Sequence, residues 1–365
     1  MKPQVRQKAK KQTKDVAHSE SITAVDLFCG VGGLTHGLVR GGIGVAAGID
    51  IDKACRYPYE SNNQAQFLER DLKQLTAADI EPLFAEGGIR LLAGCAPCQP
   101  FSTYSQAGRA ARTDGKWTLL TDFGRIVEEL QPELVTMENV PQLPDHSVFK
   151  KFLRSLAGYH VWYDVVRCAE YGVPQSRKRL VLVASKLGPI ELIPPTHADA
   201  PLTLREAISE LPGIEAGQAH TEDRLHASCG LSPTNLKRIR ASRPGGTWRD
   251  WPAELLAECH ERESGKTYPS VYGRMEWDAP APTITTQCFG FGNGRFGHPE
   301  QDRAISLREA AIIQTFPKDY RFVPEDAPVQ FAPLGRLIGN AVPVRIGEVV
   351  AETFVRHLAQ VGAAA

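Results

Sequence analysis

The sequence predicts an α/β fold: a doubly wound sheet carrying a smaller, irregular second domain. Three observations predict it. From residue 22 to 185, short apolar runs alternate with helix-length amphipathic stretches, the pattern of a parallel-type sheet covered by helices. The first run passes through a glycine-rich turn into a helix, and Asp50 closes the next run. A carboxylate there stands at the switch point of a doubly wound sheet, where such folds bind ligands. After Lys186 the composition changes, with Gly188-Pro189, Pro194-Pro195, Pro212-Gly213 and Pro244-Gly245-Gly246 punctuating a loop-rich region.

The apolar runs place strands at 24–28, 44–49, 90–93, 134–137, 161–167 and 180–184, with a further short one ahead of Asp71. Amphipathic spacing predicts helices at 119–129 and 148–156, and helical patterning returns at 306–314 and 344–357. Residues 1–20 are Lys- and Gln-rich and poor in apolar positions, which predicts a disordered basic tail. Its run Lys8-Ala9-Lys10-Lys11 reads as solvated chain, with a phosphate contact or a nuclear address as alternatives. The expected organisation is this tail, a catalytic and cofactor-binding domain from 21–187 together with 336–365, and a second domain over 188–335.

A chain of 365 residues is long enough for a sizeable core and about two domains. Charge balances at 42 against 42, so no overall field points to nucleic acid, although a local basic stripe is sufficient for it. No apolar run reaches membrane-spanning length and no apolar leader opens the chain, so a cytoplasmic protein without membrane contact is expected. Of the eight cysteines only Cys95 and Cys98 form a C-x-x-C pair, which fits a reduced interior rather than a disulfide framework.

The turn Phe28-Cys29-Gly30-Val31-Gly32-Gly33 is Gly-x-Gly-Gly, not the Gly-x-Gly-x-x-Gly of dinucleotide sites. It suits a nucleoside cofactor such as S-adenosylmethionine. Phe28 is placed to face an adenine or a sulfonium, Asp50 to bind ribose hydroxyls, and Asp71 with Leu72 to hold the adenine amino group. Pro97-Cys98-Gln99 follows an apolar strand and reads as a thiolate nucleophile, Cys98, with Cys95 incidental. A dithiol redox pair is the alternative. Structural zinc lacks a second Cys or His pair, and no metal is expected. Glu138 follows the strand 134–137, at the edge where α/β sites form. Gln175-x-Arg177-x-Arg179 opens another strand, and alternation puts both arginines on one face. A thiolate that adds to carbon 6 of cytosine turns carbon 5 into a nucleophile, and a carboxyl group at ring N3 eases the addition. Guanidinium groups can orient the ring carbonyl and a neighbouring phosphate.

Together these fragments resemble the DNA (cytosine-5) methyltransferase family, including its bacterial restriction-modification and Dcm-like members, over nearly all of the chain from Ile22. Asp26 to Leu38 is similar to the first motif. Pro97-Cys98-Gln99, Glu138-Asn139-Val140 and Gln175 to Arg179 match the catalytic motifs. Ala281 to Thr285 is similar to the scaffold motif, and Gly339 to Pro343 to the closing motif that returns to the cofactor. The resemblance implies a Rossmann-like methyltransferase sheet, S-adenosyl-L-methionine as cofactor with S-adenosyl-L-homocysteine as product, and methylation of a flipped-out cytosine through a Cys98 adduct. It implies catalytic roles for Cys98, Glu138, Arg177 and Arg179, with Arg179 on the base. Phe28, Gly30, Val31, Gly33, Asp50, Ile51, Asp71, Leu72, Pro97, Leu119, Asn340, Ala341 and Val342 would hold the cofactor. Asp50 stands where the family usually has Glu, Ile51 where it often has an aromatic residue, and Ala96 is a small change in the catalytic motif.

A duplex hides the reacting carbon, so such an enzyme flips its base and reads the flanks from a second domain, here 188–335. Its basic stretch supplies Lys237, Arg238, Arg240, Arg243 and Arg249. Arg295 lies in a glycine-rich segment suited to close approach, and Gln99 and Ser102 flank the nucleophile on the DNA side. The expected partner is double-stranded DNA, met by a monomer, with any cognate restriction endonuclease acting separately. A tRNA methyltransferase of the same fold is the rival, on a loose likeness at Cys288-Phe289. RNA enzymes with a Thr-Cys nucleophile are disfavoured, because Glu138-Asn139-Val140 occupies that place. A DNA-binding regulator without catalysis is disfavoured by the presence of both Cys98 and Glu138.

Overall fold

The computed structural model describes residues 22–97 and 118–364. Seven strands form one sheet: β1 (Ile22–Leu27), β2 (Gly44–Asp50), β3 (Gln66–Glu69), β4 (Ile89–Gly94), β5 (Leu134–Asn139), β6 (His160–Arg167) and β7 (Lys178–Ser185). Their order is β3-β2-β1-β4-β5-β7-β6. The chain winds outward from β1 through β2 to β3, then returns to β4 on the other side of β1. That reversal puts the switch point between β1 and β4, at their carboxyl ends.

The six strand ranges read from the sequence all lie on or within a residue of observed strands. β3 is only four residues long, too short for a clear apolar run. The parallel expectation holds for β1 to β5. It fails at β7, which runs antiparallel to both β5 and β6. The reason is the connection: a single 3-10 turn at Cys168–Tyr171 links β6 to β7, and so short a link cannot make the crossover that parallel neighbours require.

Both faces of the sheet are covered. One carries helix Gly33–Arg40 and the long helix Val344–Ala364, with Leu34, Leu38, Val350 and Phe354 in the core. The other carries helices Thr118–Leu130 and Ser147–Ser155, with Phe123, Val127, Phe149 and Phe152. The first pair packs backbone to backbone. A Cβ on Gly37 would lie 2.2 Å from the Val344 carbonyl oxygen, and one on Gly33 would lie 2.1 Å from that of Val342. The closing segment of the chain is thereby held against the first turn of the fold.

Regions beyond β7 use fewer regular elements. Helix Pro233–Ala241 starts where Ser232 accepts the Asn235 N–H and Pro233 takes the first position. Ile239, Trp248, Trp251, Phe291 and Ala304 form a small cluster of their own. By contrast Leu204, Ala281, Ile284, Phe316 and Tyr320 belong to the same core as β1 and helix Val344–Ala364. Buried arginines replace missing strands here. Arg274 donates to the carbonyls of Ile239, Ser242, His298 and Gln301 and pairs with Asp302. Arg303, fully buried, makes two 2.7 Å bonds to Glu309 and reaches the Ile214 carbonyl.

Candidate active site

The turn after β1 is built around Asp50. Its Oδ2 accepts the Gly30 N–H and its Oδ1 the Asp52 N–H, both at 2.9 Å. Burial pushes this carboxyl above its ordinary range. Phe28, at the head of the turn, has a φ of 58°, a strained value for an aromatic residue and one that recurs at functional sites. Beneath it Asp26 is fully buried. Its Oδ2 accepts the Thr35 hydroxyl at 2.7 Å, while Oδ1 has no hydrogen-bond partner among the described residues. Burial, opposed by the Thr35 bond and assisted by the Asp50 charge, raises this carboxyl to about 7.

These residues border a cavity of about 410 Å³ at the switch point. Phe28, Gly30, Val31, Asp50, Ile51, Pro97, Leu119, Asn340, Ala341 and Val342 all line it. Gly33, Asp71 and Leu72 are not among the lining residues. Gly33 instead seats the helix on Val342, Asp71 caps a turn by accepting the Lys73 N–H, and Leu72 is buried in the core. Polar side chains to which no cofactor role was assigned from sequence also line it, among them Asp26, Asp52, Cys95 and Arg336. Arg336 pairs with Asp52 at 2.7 Å, joining helix Phe331–Asn340 to the end of β2. Arg336 was concealed by its distance along the chain from Asp52.

Behind the lining residue Cys95 stand the end of β5 and the start of β7. Glu138, at the end of β5, is 5 % exposed. Arg179 Nε lies 2.9 Å from its Oε1, and the Cys95 thiol donates to its Oε2 at 2.9 Å. Cys95 is therefore not incidental. Asn139 ties the same segment down by donating to the Ala96 carbonyl at 3.0 Å. Arg177 and Arg179 do not act as a matched pair. Arg179 meets Glu138, whereas Arg177 is buried and donates to the Ile284 and Gly339 carbonyls. Burial, then repulsion from Arg179, lowers the Arg177 guanidinium to about 10. Beside it Gln175 donates to the Ile313 carbonyl and to Gln314 Oε1, and Gln314 in turn donates to the carbonyls of Ile338 and Ala341. This buried amide pair joins the start of β7 to the cavity wall at Ala341. Gln314 carries no local motif, so only its partners reveal it.

Cys98, Gln99 and Ser102 lie outside the described residues. Among the cations expected on the DNA side, Lys237 is exposed on helix Pro233–Ala241. Arg238 donates to the Leu255 carbonyl and Asn235, Arg240 pairs with Asp302, and Arg243 pairs with Asp250. Arg249 donates to the Lys266 carbonyl over the Trp248 ring. Arg295 is turned inward, donating to the Gly246 and Arg274 carbonyls.

A doubly wound α/β sheet with a nucleoside-sized cavity at its switch point, beside a buried carboxylate and arginine, defines a cofactor-dependent enzyme. More specifically, the chain belongs to the family of C-5 cytosine-specific DNA methylases, whose model matches residues 22–356. It is 52 % identical over 340 residues to the type II methylase M.HgiDII of Herpetosiphon aurantiacus, an alignment covering 92 % of this chain and 95 % of that one. It is 30 % identical to the type II methyltransferase M.Eco47II of Escherichia coli, covering 92 % and 79 %. Among solved structures, a candidate DNA modification methyltransferase encoded within an E. coli prophage superposes with a TM-score of 0.70 at 23 % identity, covering 93 % of this chain and all of that one. That likeness shows the fold.

Proposed function

We propose that this chain transfers a methyl group from S-adenosyl-L-methionine to carbon 5 of a flipped-out cytosine in a specific double-stranded DNA sequence, through a covalent adduct on Cys98. The observation that carries this reading is the pairing of Glu138 with Arg179 and with Cys95, which opens the Cys95–Pro97 segment lining the cavity. Cys98 is the next residue in the chain. Its thiolate adds to carbon 6, Glu138 supplying the proton or hydrogen bond at N3 that makes addition feasible; the resulting enamine takes the methyl group at carbon 5, and loss of the carbon-5 proton to water then expels the thiolate and restores the ring. Arg179 holds Glu138 and offers its remaining N–H groups to the base carbonyl. Arg177 acts from below, tying β7 to the Ile284 and Gly339 backbone.

The cavity fits the cofactor. Asp50 and Asp52 bring carboxyl groups to its lining, Asp26 Oδ1 has no hydrogen-bond partner among the described residues, and Phe28 supplies an aromatic face for a cation. When bound, S-adenosyl-L-methionine supplies the electrophilic methyl group and leaves as S-adenosyl-L-homocysteine. Phe28, Gly30, Val31, Asp50, Ile51, Pro97, Leu119, Asn340, Ala341 and Val342 would hold it.

Target recognition falls within residues 188–335, in the part built on the separate cluster of Ile239, Trp248, Trp251 and Phe291, with Lys237 and Arg240 on its exposed surface to meet phosphates. Residues 21–187 with 336–365 form the catalytic part. The relatives named as type II enzymes support a restriction-modification setting, in which a monomer acts in the cytoplasm and any endonuclease acts separately. Bisulfite sequencing of plasmid from cells expressing the chain, beside a Cys98→Ala control, tests the reading. Protected cytosines in one short context, absent in the control, are expected. Protection that persists in the control removes Cys98 from the chemistry, and soluble protein with no protected cytosine removes DNA as the substrate.

A further inference from the structure

We infer that Cys95 is a positioning residue for the reaction, its thiol holding the Glu138 carboxylate in the orientation that meets the base. The inference rests on the role proposed for Glu138. Among the described residues the Cys95 thiol makes the hydrogen bond to this carboxylate, Sγ to Oε2 at 2.9 Å. Arg179 comes as close to Oε1, but as an ion pair off the line of its N–H, so Oε1 has no hydrogen bond there. A cation alone fixes where a carboxylate sits and leaves its plane free to turn; an aligned donor fixes the plane.

The thiol has little freedom of its own. The Cys95 N–H donates to the Leu27 carbonyl at 3.2 Å, and the next residue is held through the Ala96 carbonyl by Asn139 at 3.0 Å. Cys95 therefore joins the ends of β1, β4 and β5 at the point where the cavity meets Glu138. A thiol is a weak donor, so an incoming ring can take over its place at Oε2 with little loss. Until then it keeps a buried oxygen from standing unpaired. Among the described residues, the other charged or ionisable groups facing Glu138 are Arg179 from β7, Arg177 just before it and Cys168 from the preceding turn.

The test is a double-mutant cycle with purified full-length protein, methyl transfer to DNA being measured in single turnovers and at steady state. Cys95→Ala should lower kcat about three- to tenfold, the size of one neutral hydrogen bond, with KM for DNA and cofactor within about twofold. Cys95→Ser, which keeps a donor, should restore most of the rate. In a Glu138→Gln background Cys95→Ala should change nothing further. Wild-type kcat in Cys95→Ala, no rescue by serine, or the same loss in the Glu138→Gln background overturns the inference, and the serine and background comparisons hold even if the alanine variant is less stable. A wild-type rate in Glu138→Gln alone would instead refute the role of Glu138 and remove the ground for this one.

Discussion

The sheet and the region from Ile214 to Glu309 bury polar side chains for opposite reasons. In the sheet, β5 is buried along its whole length and β7 nearly so, and apolar clusters hold both faces. The charged groups buried there, Asp26, Glu138 and Arg177, all lie toward the cavity end, and each keeps an atom without a hydrogen bond among the described residues. In the second region Arg274, Arg303 and Arg308 are buried with extensive partners, bonding carbonyls and carboxylates that strands or helices would otherwise satisfy. A buried charge in the sheet lies beside the proposed site of chemistry. In the loop-rich region it marks what holds the backbone together. Stability and activity should therefore respond in opposite directions when each kind is removed.

Arg303→Met offers the largest effect. It leaves Glu309 charged in the core with the Ser306 N–H at 2.6 Å as its remaining donor and no cation but His298 close by, at 3.7 Å, and burial already pushes His298 down to about 4. A loss of about 3–5 kcal/mol in urea unfolding is expected. A change within 1 kcal/mol would show that the loop-rich region does not depend on this pair.

Asp26→Asn should act the other way. Because its folded value is raised to about 7, the folded state binds a proton that the unfolded chain has already lost. Wild-type stability from this group is then present in acid, falls as pH rises from about 4 to 7, and is level above that. The variant should be more stable than wild type above pH 7, by up to about 4 kcal/mol, with the gap closing on acidification. It should also bind the cofactor less well. Melting curves at pH 5 and pH 8 with an unchanged gap would refute the assignment.

Glu138→Gln should leave the fold intact and slow methyl transfer by roughly 100-fold. Stability that drops by several kcal/mol would class Glu138 with the architectural charges. Arg336→Ala sits at the small end: its pair with Asp52 is partly exposed, so a stability cost below about 1 kcal/mol is expected. The informative readout is cofactor dissociation, which should quicken a few-fold if that pair helps close the cavity.

What the sequence revealed follows the same division. Phe28 to Val31, Glu138, Gln175 to Arg179 and Asn340 to Val342 are legible because each group sits in a few consecutive residues, at a strand end or turn that patterning locates. Cys95 to Glu138, Asp52 to Arg336 and Gln175 to Gln314 are pairings between distant segments, and no local spacing encodes them. The reversed direction of β7 was hidden because strand patterning is blind to direction. Arg238 and Arg295 read as DNA contacts from charge alone, whereas their guanidinium groups are engaged by nearby carbonyls and amides. A basic stretch in a region short of regular hydrogen bonding is spent partly on its own backbone.

The seating of Val342 on Gly33 also sets an order of events during synthesis. Phe28 to Gly33 leave the ribosome about three hundred residues before the cavity wall at Asn340 to Val342. Until then the nascent chain exposes a sheet face that helix Val344–Ala364 has yet to cover, so a truncated product is exposed to proteolysis along that face and has only part of a cavity.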